Sequence, residues 1–313
     1  MLLKNARNPL RRNKNIGTSK QGYRKNNRFV IPDIKRNNSY TIFYQNLKKY
    51  TVVNLNINNK EFKFVVEETK KDYIYPVTIQ DVEKILHFIH DKFTDNLNLI
   101  VFRQPKRKEE IINPVWGRLI YYFEFEGETQ PAIILESVKL PKKIKWNKKL
   151  RLDKKNELEF LKEDGVNFVE SKRDYTAFLT LDIVRQIQLY RTFIHEIGHY
   201  NEYLEKIEYP LSLLRQEIIN LENEINELSF NNKKSQDKLL EKLNDLEERY
   251  EEENILLWDK YDSIPISEKE YYANNFAKKI SSLLKTNKLI PFKRILDEKF
   301  IIDSGLKISG FQE

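Results

Sequence analysis

No cysteine occurs in the chain of 313 residues, so disulfides and thiolate metal sites are both excluded. Any bound metal must therefore be held by nitrogen and oxygen donors. A cysteine-free chain suits a reducing, cytosolic setting and tolerates an oxidising one. Long apolar runs are missing too, and with no stretch of about 18 apolar residues a membrane-spanning helix is not expected. Lys4 and Arg7 interrupt the apolar start before an h-region forms, so no secretory signal is expected and a cytoplasmic location follows, with export by a non-classical route left open. The eight glycines include no phosphate-binding loop, and nothing resembles a serine or cysteine nucleophile triad. Histidine is scarce: His87, His90, His195 and His199 are all there are.

Charge is present but uneven. Residues 1–36 hold eleven Lys or Arg against the single acid Asp33, whereas the whole chain carries a net +8, so the remainder is close to neutral. The basic, Asn-rich tail 1–36 reads as unfolded, with two open roles: a tether to nucleic acid or another anionic surface, or a solubilising terminus.

Globular composition begins near residue 37. Tyr40–Tyr44 and Tyr50–Ile57 read as strands, and Glu61–Glu67 alternates as the partner of a hairpin turning at Asn58-Asn59. Thr78–Phe93 places Val82, Ile85, Leu86 and Ile89 on one face of a helix, with Thr78 as N-cap. Strands follow at Leu97–Phe102, Gly117–Glu126 and Ala132–Val138, then an exposed connection over 139–151 with seven basic residues and no acid. Tyr175–Leu181 reads as a strand leading through Asp182, as N-cap, into a helix over 183–206 that Pro210 ends. In 211–258 the apolar positions Leu214, Ile218, Leu221, Ile225 and Leu228 step by four and three, and Leu239, Leu243, Leu246 and Tyr250 resume the rhythm. That pattern predicts an antiparallel helical hairpin, available for a partner or for self-association. A last helix spans Ser267–Leu284. The divisions are a tail 1–36, an N-terminal α/β portion 37–172, a core 173–285 with the hairpin inserted at 211–258, and a C-terminal segment 286–313.

The chemistry concentrates in His195-Glu196-Ile197-Gly198-His199, an H-E-x-x-H inside a predicted helix. At about 100° per residue the two histidines lie about 40° apart on one face, one turn from each other. Both imidazoles can therefore reach one ion, while Glu196 beside them takes a proton from a water on that ion. The apolar flanks Phe193, Ile194 and Ile197 indicate a largely buried helix rather than a surface one with two chance histidines. A catalytic zinc needs a third ligand. His87 and His90 sit on a separate helix and read as ordinary helix residues. Glu270, in Glu270-Tyr-Tyr-Ala-Asn-Asn-Phe-Ala277, offers a carboxylate, with Asn274 one turn on as a hydrogen-bond partner for a ligand histidine. Ala273 and Ala277 permit close packing against the histidine helix. Five tyrosines compete as donors to an oxyanion: Tyr200, Tyr203, Tyr261, Tyr271 and Tyr272.

HEIGH followed by E-Y-Y-A-N-N-F-A resembles the ImmA/IrrE family of gluzincin metallopeptidases, and more loosely the lethal-factor-like metallopeptidases, over residues 175–284. The resemblance implies a Zn2+ peptidase with His195, His199 and Glu270 as ligands, Glu196 as general base, and an α+β zincin-like fold in which substrate adds to a sheet edge. The chain departs from the family in the 70 positions between His199 and Glu270, which the hairpin fills, and in lacking a helix-turn-helix module. The function this reading implies is zinc-dependent cleavage of a protein or peptide substrate. The alternative is a non-catalytic binding protein that uses residues 1–36 for nucleic acid and 211–258 for a partner. The fold expected is a mostly antiparallel twisted sheet packed on the HEIGH helix.

Overall fold

Two asparagines form the turn of the first hairpin among the described residues. Asn58 and Asn59 both take left-handed φ, 53° and 63°, the turn that matches the twist of paired strands. They join β1 (Tyr50–Ile57) to β2 (Lys60–Glu67) in the anticipated register. The computed structural model describes residues 47–106, 116–148, 165–227 and 233–312, with Leu158, Glu159, Leu161 and Lys162 between. The basic tail 1–36 and the strand expected at Tyr40–Tyr44 lie outside the described residues. Leu47–Glu313 forms one compact unit.

The protein is α+β, but its main sheet is mixed rather than mostly antiparallel. The strand order is β1-β2-β4-β6-β5, completed by β4 (Leu99–Arg103), β5 (Gly117–Phe125) and β6 (Glu128–Glu136). β4 pairs parallel with both β2 and β6, while the β1–β2 and β5–β6 pairs are antiparallel. The reason lies in the connection: helix α1 (Ile79–Phe88) carries the chain from β2 back to the start of β4, as a parallel pair requires. α1 begins with the expected cap, Thr78 Oγ1 accepting from Asp81 N while Asp81 accepts from Thr78 N. It stops at Phe88, earlier than anticipated, and a short 3-10 turn takes Asp91–Phe93. The central strands read as unbroken apolar runs because both faces are covered, and Phe64, Val65, Ile100, Val101, Ile133 and Ile134 are fully buried. β5 is left at the edge, with a bulge between Ile120 and Phe123.

The lysine-rich stretch at 139–151 is not a bare connection. It contains β7 (Val138–Lys139), which pairs with β3 (Tyr73–Ile74), and β8 (Lys142–Asn147). β8 pairs with β10 (Asp174–Leu179), whose other neighbour is β9 (Phe168–Glu170). Lys143 and Lys145 alternate with Ile144 and Trp146, so the apolar side chains enter a small core with Ala177, Leu179 and Val184.

Helix α2 (Leu181–Gln186) has Thr180 at the N-cap position, and Asp182 sits in its first turn instead. A π-helical segment, Ile187–Phe193, joins it to α3 (Ile194–Tyr203), and a second, Leu204–Glu208, follows. Pro210 does not end the helix. The wide turn before it sends Tyr209 N–H to Leu204 O, so the ladder is already displaced where the ring would clash, and α4 (Tyr209–Glu227) continues. α4 and α5 (Lys233–Ser263) form the expected hairpin, with Leu221 and Leu246 buried in its seam. Arg215 ties its base together, donating to Glu208 Oε2 at 2.8 Å and to Tyr250 Oη at 2.9 Å. α6 (Ile266–Thr286) returns along α3, and the C-terminal segment with α7 (Glu298–Asp303) buries Ile290, Ile301, Leu306 and Phe311 in the main core. No helix among the described residues is long and apolar enough to cross a membrane.

One buried ion pair joins three regions of the chain. Asp81 accepts from Arg185 Nε and Nη2, both at 2.8 Å, and from Ile295 N at 3.0 Å. Removing one partner of such a pair leaves an uncompensated buried charge. Asp81→Ala should therefore lower stability by about 3–5 kcal/mol in urea unfolding. A loss below about 1 kcal/mol would mean the guanidinium finds solvent instead.

Candidate metal and catalytic site

The HEIGH segment forms α3, and the regular turn between its histidines puts their ring centroids 4.6 Å apart with planes at 89°. The third group comes from α6. Glu270 Oε2 lies 3.4 Å from His195 Nε2, and Glu270 Oε1 lies 3.5 Å from His199 Nε2. Two donors on one tetrahedral ion at about 2.0–2.1 Å sit about 3.3–3.4 Å from each other, so these spacings fit a shared ion. His195, His199 and Glu270 are the group among the described residues whose ligand atoms all lie within 4.8 Å and could hold a metal. His87 and His90 stand apart, His87 Nδ1 contacting Asn58 Oδ1 at 3.0 Å and His90 Nδ1 accepting from Lys92 N at 3.2 Å.

What brings α6 this close is Gly198, between the two histidines. A Cβ there would lie 3.0 Å from both Cα and O of Ala273 and 3.2 Å from Phe276 Cβ. Ala273 is itself fully buried, so backbone meets backbone at this crossing. Phe276 packs edge-on to Phe93 with centroids 5.1 Å apart, fixing the far side of α6.

Electrostatics follow from the same crowding. Burial alone would lower the His195 pKa, but the Glu270 hydrogen bond, the charges of Glu196 and Glu270, and a hydrogen bond donated by the ring to Asn274 leave it raised above 6.5. The two imidazoles hold the Glu270 carboxyl well below the usual carboxylate range. Glu196 points to the sheet, and its Oε2 accepts from the backbone N–H of Leu119, on β5, at 2.8 Å.

A second polar chain lies behind the histidines. Tyr121 Oη and Tyr261 Oη are 2.9 Å apart, and Tyr261 donates to Glu202 Oε2 at 3.5 Å, so Tyr121 is the donor to Tyr261. Burial raises the Glu202 carboxyl, although His199 and Lys269 pull the other way. Burial also drives Tyr121 well above 10. Four of the five candidate tyrosines are committed elsewhere: Tyr200 donates to Asp95 O, Tyr203 to Glu208, Tyr261 to Glu202, and Tyr272 accepts from Asn201 Nδ2 at 2.6 Å. Tyr271 is 70% exposed beside Glu270, with no hydrogen bond among the described residues. Sequence reasoning missed Leu119, Tyr121 and Glu202. Glu202, three residues after His199, was open to inspection; the Leu119 amide has no side-chain signature.

No family model, curated protein or solved structure matches the chain.

Two outcomes are expected. Gly198→Ala should force α3 and α6 apart, lowering stability by about 1–3 kcal/mol and weakening metal binding together. Unchanged metal affinity in that variant would show that the crossing does not set the ligand spacing. A metal held by this group needs His195 neutral, and the His195 pKa is raised above 6.5, so affinity for an added divalent ion should fall as pH drops through that raised value. A competition titration that is flat from about pH 8 to about pH 5.5 would contradict this.

Proposed function

We propose that this protein is a zinc-dependent endopeptidase of zincin-like fold, acting on extended segments of a protein substrate. The observation that carries the reading is the convergence of His195, His199 and Glu270 from two helices, with the Glu196 carboxylate beside them. Two imidazoles and one carboxylate form the donor set of zinc peptidase sites that leave a fourth position open. Zinc in such a site acts as a Lewis acid toward a carbonyl and lowers the pKa of water.

The chain's own groups divide the remaining work. Asn274 holds the His195 ring by hydrogen bond, which fixes its orientation toward Glu270. Glu196 is the general base: its carboxylate accepts the proton released as water attacks the peptide carbonyl and passes it to the leaving amine. Among the described residues no strand pairs with the outer side of β5, so an extended peptide adds there through main-chain hydrogen bonds. The resemblance of HEIGH and EYYANNFA to gluzincin motifs supports the same assignment of roles.

Elemental analysis of purified wild type should find about one zinc per chain, with a marked loss in Glu270→Ala. Glu196→Gln should keep the zinc and lose at least about 100-fold in peptide hydrolysis. Absence of zinc in wild type even after its addition would remove the ground for a peptidase. A zinc-loaded Glu196→Gln variant with full activity would instead refute the role given to Glu196.

A further inference from the structure

A general base must hold its carboxylate within hydrogen-bond reach of one proton, and Glu196 is held by a group from outside its own helix. Its Oε2 accepts from Leu119 N at 2.8 Å, and it makes no other hydrogen bond among the described residues. Among those residues Oε1 is thereby left without a partner. We propose that the backbone amide of Leu119 is the positioning group for Glu196, clamping one carboxylate oxygen so that the other is presented for proton transfer. The proposal rests on the peptidase reading above.

Three observations support it. First, a strand amide is a rigid donor: it cannot rotate away, and β5 is anchored to β6 on its other side. Secondly, the N–H that reaches Glu196 points away from β6, so it lies on the free edge and is absent from the ladder. Thirdly, β5 is pressed against the helix that carries Glu196 by a residue that tolerates no side chain. A Cβ on Gly117 would lie 2.7 Å from Ile134 O and 3.1 Å from Thr192 Cγ2, and Thr192 stands three residues before His195. Gly117 therefore sets the gap between edge strand and helix that the hydrogen bond spans two residues later.

The assignment has a consequence for substrate. A free edge residue ordinarily offers a peptide both its N–H and its C=O. Here the N–H of Leu119 is already taken, so the residue offers an acceptor and no donor. A peptide lying on β5 then gains nothing from that N–H. Its removal should lower kcat and leave KM alone, the signature of a group that acts on the transition state and not on ground-state binding.

The test uses the full chain with zinc bound and the best-cleaved member of a quenched fluorescent peptide library. Leu119→Ala retains the amide and serves as the reference for loss of the side chain alone. Leu119→Pro deletes the N–H without removing a ladder bond, which an edge strand tolerates. It should lower kcat about 100-fold, with KM and zinc content unchanged. Should the proline variant misfold, a backbone ester at position 119 removes the same hydrogen without the ring. In parallel, exchange of the Leu119 amide in zinc-free protein should be slow in wild type and accelerated in Glu196→Ala.

Equal kcat for the proline or ester variant and Leu119→Ala overturns the proposal. So does a raised KM at unchanged kcat, since the N–H would then serve the substrate, and so does a Leu119 amide that exchanges freely in wild type. A wild type that binds zinc and cleaves no peptide overturns the peptidase reading, and this proposal with it.

Discussion

Everything at the candidate site depends on two helices touching at backbone distance. Glu270 lies 71 positions after His199, on a separate helix, and its carboxylate meets both imidazoles only because Gly198 and Ala273 let α3 and α6 cross without side chains between them. Helices usually pack about 8–10 Å apart, the distance being set by the residues at the contact. A side chain at 198 would meet Cα and O of Ala273 at 3.0 Å, so α6 and the carboxylate it carries would have to shift. The small residues of HEIGH and EYYANNFA are thus as much a part of the site as its donors.

The intervening hairpin bears on the same constraint. A flexible segment of this length would add loop-closure entropy, though only as the logarithm of its length. Here α4 and α5 fold back on each other through Leu221 and Leu246, and Arg215 bridges Glu208 and Tyr250 at the base. Rings then secure the foot of α5 to the edge strand: Trp258 packs on Tyr121, Tyr122 and Tyr203, with centroids 5.9, 5.5 and 5.6 Å away. The β5 bulge turns two consecutive tyrosines toward that indole. The chain therefore re-enters α6 from a fixed point.

Features written in local chemistry are legible from the residues alone. The capping box at Thr78 and Asp81, the Asn58-Asn59 turn, the hairpin heptads and the spacing of His195, Glu196 and His199 each need only a few neighbouring residues to specify them. The position of Asn274 one turn after Glu270 follows from helical period alone. The parallel pairing of β4 is not legible, because nothing in a strand's own residues names its partner. β8 is hidden by its lysines, which alternate with Ile144 and Trp146 in the period of a strand while raising the net charge to that of a loop. The Leu119 amide is beyond reach for a plainer reason: every residue but proline has one, and only the approach of β5 to α3 singles it out.

The two π-helical segments flanking α3 carry a further implication. A π turn holds one residue more than the α turn it replaces, so α3 is bracketed by two single-residue surpluses. Each surplus sets the angular phase of the helix beyond it: the first aims the histidines at Glu270, and the second returns the chain to α4 in time for Pro210 to pass. The site is thus indexed by the count of residues as well as by their kinds. Many side chains in 187–193 could change without turning the helix, but the loss of a single residue there would rotate His195 and His199 by roughly 100° and aim them away from α6.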